Sequence, residues 1–565
     1  MSEEKPAKMA SEASDSSVAA MPTQETQERQ QHDVDAEKTT APEAGPTGRY
    51  VHGLRLYSIA YTLATMIFLV VLEIPIVPTA LVPISNDLGG FNDLSWVISS
   101  YLLGRVGVMV ILAKLSDIFG RKLIFTMSIA VFVIFSGICG ASQTLTQLIV
   151  FRAIQGVGGG GAYSLSTVLI SELVAPENLA KALAQLSLLT TLANTLGPII
   201  GGAISKDTSW RWIFIINSPI AASALIIALV AIPRGFGKAN RQSKQSGKDD
   251  PSWKHSLSRI DALGNILILF ATLSLVAGFE EAGSKFPWKS AYVISLLTIS
   301  GLLWIALGIW EHRVTLSEGK QEPILPWRFF TNRAMISILS IFFLLGGPLV
   351  VTIYQIPQVF QLVYRFTYLD AGIRVVPFTA LWSVGLIVGP TLTRKFKIPP
   401  IYIILTGSVI QVIGFALLAT LPVSLTTPPQ IYGYEVIAGL GCGLVFPLLF
   451  AMIPFVTEGR DRAVGMAMGG QFQVMGSAVL LSIATSVFNG YTQPRLKSVL
   501  EGYGPGSLLN LGQTLSSLPV DQQNEIRLVL AKGYNQQSLV LSVAAAIQIP
   551  FGLLLWRREQ IKVSK

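Results

Sequence analysis

Apolar runs of about 20 residues recur along nearly the whole of this 565-residue chain, and that is the length a helix needs to cross roughly 30 Å of hydrocarbon. No other feature of the sequence narrows the possible folds as far. A backbone in lipid must satisfy its own hydrogen bonds, so each run is expected to be a helix and the chain an all-α integral membrane protein. Composition agrees: 51% of the residues are hydrophobic and only 13% are charged, with a mean hydropathy of +0.54. The two cysteines, Cys139 and Cys442, both lie in apolar runs. They provide no disulfide framework and no metal cluster, and read as small buried hydrophobes.

Fourteen such runs can be counted. The first six lie near 56–80, 94–113, 122–141, 146–170, 180–204 and 212–233. Two more follow near 260–280 and 289–311, and the last six near 335–360, 371–393, 400–421, 431–456, 463–489 and 536–556. They divide the chain into a disordered cytoplasmic tail (1–54), an N-terminal six-helix half (55–234), a cytoplasmic loop (235–259), two inserted helices (260–312), a cytoplasmic linker (313–334), a C-terminal six-helix half (335–557) and a second cytoplasmic tail (558–565). The first tail is rich in small polar residues. It lacks the apolar core of a cleaved signal peptide, so the first span is expected to direct insertion. Within the C-terminal half an outer loop, 490–535, contains DQQNEIRLVLAKGY (521–534), expected to be a lid or packing helix.

Charge supports this 6+2+6 count. With the N-terminus in the cytosol, the cytoplasmic segments from Lys114 onward hold 24 Lys and Arg, against 9 in the outer segments. That asymmetry is the positive-inside bias of a membrane protein, and it accounts for the net charge of +9 without a nucleic-acid partner. An even number of spans places both termini in the cytosol. Two six-helix halves imply a central site at their interface.

The stretch from Phe151 to Gly202 departs most from a plain lipid-facing pattern. Arg152 is followed by a run of glycines, and Gly197-Pro198 and Gly201-Gly202 punctuate the next span. A charge within a span is costly and marks a functional site facing protein or water. Glycines let helix backbones approach closely, and proline bends the rod.

These segments resemble the major facilitator superfamily, and within it the fourteen-span drug:proton antiporters, particularly fungal pumps that export toxins and other secondary metabolites. AKLSDIFGRK (113–122) resembles the signature turn after span 2, with Asp117 at a helix end, Gly120 in the turn, and Arg121 and Lys122 facing the cytosol. Ala113 stands where that turn usually begins with glycine. The resemblance implies charge pairs here that lock the cytoplasmic side and break on switching. FRAIQGVGGG (151–160) is similar to the motif whose arginine is tied to proton coupling, and LGPIIGG (196–202) to the antiporter motif of span 5. WRWIFIINSP (210–219), YQIPQVFQLVY (354–364), AGIRVVP (371–377), Asp261 and Gly264 fit the same group. Where the group usually has an aspartate in span 1, followed by x-Thr-Ile-Val, this chain reads LEIPIVPTALVP (72–83). Glu73 takes the place of that acid, and Pro75 that of the threonine.

Glu73 lies about 17 residues into an outward-running span, roughly 25 Å along it, and Arg152 about six residues, roughly 9 Å, into an inward-running one. Both therefore fall at similar depth in the outer half. A nearby cation favours a carboxylate that bare lipid would neutralise, so Glu73 is expected to bind the driving proton and Arg152 to set its affinity. The alternative is a static pair that staples two helices. Walls of a central cavity are sought among Gln155, Asn194, Tyr354, Gln358, Gln361, Trp382 and Gln471, whose amides and aromatic rings suit amphipathic organic molecules. Arg105, Arg374 and Glu435 are further candidates for the path. The last two lie near outer ends, where snorkelling is a sufficient explanation.

No Gly-Lys-Ser/Thr phosphate loop is present to suggest ATP drive, and the four histidines avoid the span interiors, so neither an enzyme nor a metal or cofactor is expected. The reading is a proton-coupled exporter of a drug, mycotoxin or other small amphipathic compound, working by alternating access on the proton gradient alone. It is expected as a plasma-membrane monomer, with the vacuolar membrane as the alternative address. Its rivals are an importer on the same fold, for a siderophore or basic amino acid, and a non-transporting membrane sensor. The Gly-Pro signature of span 5 and the few acids deep in the second half favour export.

Overall fold

The computed structural model describes residues 54–88, 95–174, 176–232, 260–282, 286–317, 321–499 and 519–557. All of the expected tail 1–54 except Leu54, the whole of the loop 235–259 and the tail 558–565 lie outside these residues, as do 500–518 of the outer loop. Among the described residues, β-structure is confined to two isolated bridges, and everything else is built on helices. We label the long ones α1 (Leu54–Ile76), α2 (Ser95–Phe119), α3 (Arg121–Gly140), α4 (Leu145–Leu173), α5 (Pro176–Asp207), α6 (Asn217–Ala231), α7 (Ala262–Glu281), α8 (Ala291–Leu316), α9 (Arg333–Leu362), α10 (Val376–Lys395), α11 (Pro400–Ala419), α12 (Gln430–Val456), α13 (Arg462–Val499) and α14 (Val520–Leu554). Local chemistry sets several starts. The side chains of Thr144, Asp261, Ser290 and Asn332 each accept the N–H of a residue in the first turn of α4, α7, α8 and α9, satisfying a donor the helix itself cannot.

Among the described residues twelve helices are long and apolar enough to cross a membrane, with the turn Arg211–Ile215 counted as part of α6. The fourteen expected crossings are thus met in apolarity by all but α4 and α5. The first is diluted by Arg152, Gln155 and its glycines, and the second has an apolar stretch only over Leu188–Gly201. A helix that protein shields from lipid has no need of an apolar surface all round, and most of α4 is buried.

Several boundaries differ from the sequence reading. The segment 521–534 is no separate lid, because it runs unbroken into α14. Ile526, Leu530 and Tyr534 bury there against Val363 and Leu496, which gives this polar-faced stretch an apolar seam of its own. Span 1, in turn, stops as an α-helix at Ile76 and continues as a 3-10 turn over Val77–Ala80.

The helix pairings repeat. In the first group α2 and α3 both pack on α4, α1 packs on α4, α5 and α6, and α3 packs on α6. In the second, α10 and α11 pack on α12, α9 packs on α12, α13 and α14, and α11 packs on α14. Each pairing among α1–α6 thus has its counterpart among α9–α14. The groups meet through α5 against α10 and α12, and through α13 against α2 and α4. Helices α7 and α8 pair with each other, and α7 leans on α2 and α13. The outer face of α8 leaves Leu302 62%, Ile305 61% and Ile309 55% exposed, as a lipid-facing surface requires.

Glycine makes the tightest of these approaches. A Cβ at Gly156 would lie 2.3 Å from Tyr101 O, and one at Gly439 would lie 2.2 Å from Phe378 O. Such contacts are backbone against backbone and cannot relax cheaply. Gly301 and Gly433 have no neighbour within 4 Å. We expect Gly156→Val and Gly439→Val each to cost about 1–3 kcal/mol by overpacking, seen as a lower Tm of the detergent-purified protein. Gly301→Ala and Gly433→Ala should leave Tm unchanged or raise it. Similar Tm values for all four would refute the close-packing account.

Candidate functional site

Helix α4 carries the cation of the site, and its glycines explain how the cation reaches its partners. Gly156 and Gly160 bring α4 against the backbone of α2 at Tyr101 and Arg105, while Gly158 brings it against α3 at Phe132. Arg152, four residues before Gly156, is thereby held inside the bundle with no exposed surface. Its Nη1 donates to Glu73 Oε2 of α1 and to Gln155 Oε1 at 2.9 Å, and its Nε donates to Val97 O at 3.1 Å. The guanidinium lies over the Tyr101 ring, 4.3 Å from its centroid, and 5.4 Å from that of Phe214.

Glu73 is equally buried. Its Oε1 accepts from Gln155 Nε2 at 2.7 Å and from Asn217 Nδ2 of α6 at 2.6 Å. Gln155 Nε2 also donates to Ser136 Oγ of α3 at 2.6 Å. One ion pair therefore ties α1 to α4, and two amides extend the network to α3 and α6. Two residues beyond Glu73, Pro75 sits in the last turn of α1 and packs against Gly197 of α5. A Cβ there would come within 2.5 Å of Pro75 Cγ. Gly201 of the same motif is buried, and Pro198 and Gly202 continue the helix.

The turn between α2 and α3 makes a second cluster. Gly120 has φ 106°, a conformation L-residues rarely adopt, and it folds Arg121 back on its own turn. Arg121 is not cytosol-facing as expected, because it is buried. Its Nη2 pairs with Asp117 Oδ1 at 2.5 Å and with Glu172 Oε1 of α4 at 2.8 Å, and its Nη1 donates to Ser116 Oγ at 2.6 Å. Lys122 caps the end of α6, donating to Leu229 O at 2.5 Å and Ile232 O at 2.7 Å. Nearby Lys114 Nζ reaches Glu322 Oε2 at 2.9 Å, in the linker ahead of α9.

The proposed cavity walls are not gathered into one place. Gln155 belongs to the ion-pair network. Gln471 of α13 is buried; it accepts from Val110 N at 3.2 Å and donates to Thr272 Oγ1 at 3.2 Å, joining α13 to α2 and α7. Asn194 donates back to Thr190 O. Gln358 is exposed and accepts from Tyr534 Oη at 3.5 Å, while Tyr354 and Gln361 are half-buried. Trp382 is buried beside Phe378. Arg374 donates to Tyr432 Oη at 3.2 Å and to Asp370 O at 2.9 Å and stacks over Phe366. Glu435 does not snorkel. It has no exposed surface, because Gly439 one turn on draws α12 against α10. Arg105 is also buried, over the Tyr163 ring. Asn217, Tyr101 and Ser136 were not anticipated as site residues. Only Asn217 carried a signal, as the amide inside WRWIFIINSP.

Removing one partner of a buried pair strands the other charge, which typically costs about 3–5 kcal/mol. Arg152→Met alone should therefore lower Tm sharply, and Glu73→Leu combined with Arg152→Met should recover most of the loss. A double variant no more stable than Arg152→Met would show that the pair is not what holds these helices.

The Major Facilitator Superfamily model matches residues 62–481. The MFS-type transporter FPY5 of Fusarium mangiferae is 34% identical over 91% of this chain and 85% of its own length. The rubrofusarin-specific efflux pump aurT of Gibberella zeae is 26% identical over 85% of each. Among solved structures, the human organic anion transporter MFSD10 superposes with a TM-score of 0.53 over 89% of this chain and all of its own, at 12% identity, which speaks for the fold alone. The family model spans most of the described bundle and a relative at one-third identity follows nearly the whole sequence, so the chain belongs to the major facilitator superfamily.

Proposed function

We propose that this protein exports small amphipathic organic compounds, secondary metabolites or drugs, in exchange for protons. The observation that carries the reading is the fully buried Glu73–Arg152 pair with the two amides that donate to Glu73. A proton delivered to Glu73 cancels one of two charges that low-dielectric surroundings make strongly dependent on each other. Arg152 then keeps only Val97 O, Gln155 and the aromatic rings. Breaking a buried pair is worth about 3–5 kcal/mol, the same order as the ~2.3 kcal/mol that one charge gains across 100 mV. A proton at this point can therefore tip two conformations of similar energy. Relatives named as efflux pumps support the outward direction, and the Gly197 contact on Pro75 gives the span-5 motif a physical place beside the proton site.

In this reading α1–α6 and α9–α14 rock against each other about their shared interface, with α7 and α8 moving alongside. Asp117, Gly120, Arg121 and Lys122 hold the cytoplasmic end in one state. The working unit is a monomer in the plasma membrane with both termini in the cytosol, driven by the proton gradient without a cofactor. Import on the same fold and a transport-silent sensor are the rivals.

Purified protein in liposomes, with an imposed pH gradient and ethidium as a fluorescent probe, separates them. We expect uphill ethidium movement that a protonophore collapses. Glu73→Gln should cut the gradient-driven rate by about tenfold or more, a barrier change of ~1.4 kcal/mol, while downhill exchange persists. Full gradient-driven flux in both Glu73→Gln and Arg152→Gln would sink the coupling role. Flux in the inward direction of the cell would favour the importer, and none with any of a range of amphipathic probes the sensor.

A further inference from the structure

The repeated pairings hold at the level of single residues. On α4, Gly156 and Gly160 press on Tyr101 O and Arg105 O of α2, and Gly158 on Phe132 N of α3. On α12, Gly439 and Gly443 press on Phe378 O and Trp382 O of α10, and Gly441 on Gln411 N of α11. Matching these glycines places FRAIQGVGGG (151–160) on YEVIAGLGCG (434–443). Arg152 then corresponds to Glu435. On the facing helices, Glu73-Ile74-Pro75 of α1 corresponds to Gln355-Ile356-Pro357 of α9. The C-terminal bundle therefore carries an acid at the position of the cation, and an amide at the position of the acid.

Among the described residues no counter-charge accompanies the exchange. Glu435 has no exposed surface, and neither of its carboxyl oxygens meets a hydrogen-bond donor of the protein. Gln355 turns its amide to α14 instead, donating to Tyr534 O at 2.9 Å and Ser538 Oγ at 3.0 Å. Glu435 and Gln355 border a cavity of about 40 Å³ between α9, α11, α12 and α14, the counterparts of α3, α6 and the two helices that hold the ion pair. Tyr364 and Tyr534 are the other titratable groups that face it, and its lining contains no Lys, Arg, His or Asp. Arg374, near the same end, gives its hydrogen bonds to Tyr432 and Asp370. The space admits a water or two and is far below the ~300 Å³ of a small-molecule pocket. An ionised carboxylate here would be desolvated with nothing to offset it, whereas the protonated acid is neutral and can itself donate.

We propose that Glu435 is a second proton-binding site, the C-terminal counterpart of the Glu73 cluster, occupied in this conformation. It rests on the proton-coupled reading above and adds to it: one bundle holds a carboxylate paired with Arg152, and the other a neutral carboxyl group at the position that corresponds to Arg152. Infrared difference spectra of the full-length protein in liposomes, taken while pH is raised, test the assignment. The expected result is a protonated-carboxyl C=O band that persists where exposed glutamates are ionised, is absent in Glu435→Gln and is retained in Glu73→Gln. Gln355→Lys, which sets an ammonium in the same cavity, should abolish the band with Glu435 intact. That variant keeps the test decisive even if Glu435→Gln folds poorly. A band unaffected by either variant overturns the proposal, as does one that sodium removes at constant pH. Neither of those results touches the ethidium flux assay, so the exporter reading could stand while this site fell.

Discussion

A carboxylate and a guanidinium with no access to solvent hold each other in the middle of the N-terminal bundle, and the helices around them converge to support the pair. Desolvating two ions is costly unless geometry and further hydrogen bonds compensate. Here Gln155 and Asn217 donate to Glu73, while Val97 O and Gln155 accept from Arg152. These contacts draw on α1, α4 and α6 and on the start of α2, and Ser136 adds α3 through Gln155. The glycines of α4 are what make such convergence possible, because any side chain in their place would hold α2 and α3 too far away for Arg152 to stack on Tyr101. The charge and the absence of side chains are two halves of one device.

The second bundle keeps the frame and changes the electrostatics. Its glycines close the same helix pairs, and an Ile-Pro step stands at the corresponding place in α9. Yet the ion pair is replaced by Gln355 and an isolated Glu435. The shared backbone geometry thus carries an ion pair in one half and an unpaired acid in the other. One half stores two opposite charges, which a proton can disrupt. The other stores a neutral acid, which only access to water can ionise.

Much of this was legible in the sequence, for identifiable reasons. Hydropathy and the distribution of Lys and Arg marked the helices, since lipid imposes those rules on any backbone. Glu73 and Arg152 stood out because charges inside a span demand explanation, and depth along two antiparallel rods placed them at one level. Gln155, by contrast, read as a cavity wall because an amide alone does not reveal which partner it serves. Asn217 and Tyr101 were silent for the same reason. Glu435 was placed near a helix end and explained by snorkelling, but distance along a helix says nothing about which face a neighbour covers. The correspondence of FRAIQGVGGG with YEVIAGLGCG was present in the letters. Only the glycine contacts show that it reflects shared packing rather than shared composition.

The position of the ion pair relative to the interface is what could turn a local protonation into a movement of halves. Pro75 follows Glu73 by two residues and lies against Gly197, and α5 is the helix that packs across the interface on both α10 and α12. A change in how α1 is held at Glu73 is therefore one contact from the surface along which the bundles must slide. On the opposite side the interface is tied by Gln471, which bonds α2 and α7 from α13. Hydrogen bonds of this kind are modest in net worth, about 1 kcal/mol each, so they set a register without locking it. The rocking proposed above would need a firm contact near the charged site and a weak tie elsewhere; a proline wedged on glycine and an amide shared between two helices would serve as these, with α12 and its buried Glu435 packed against α5.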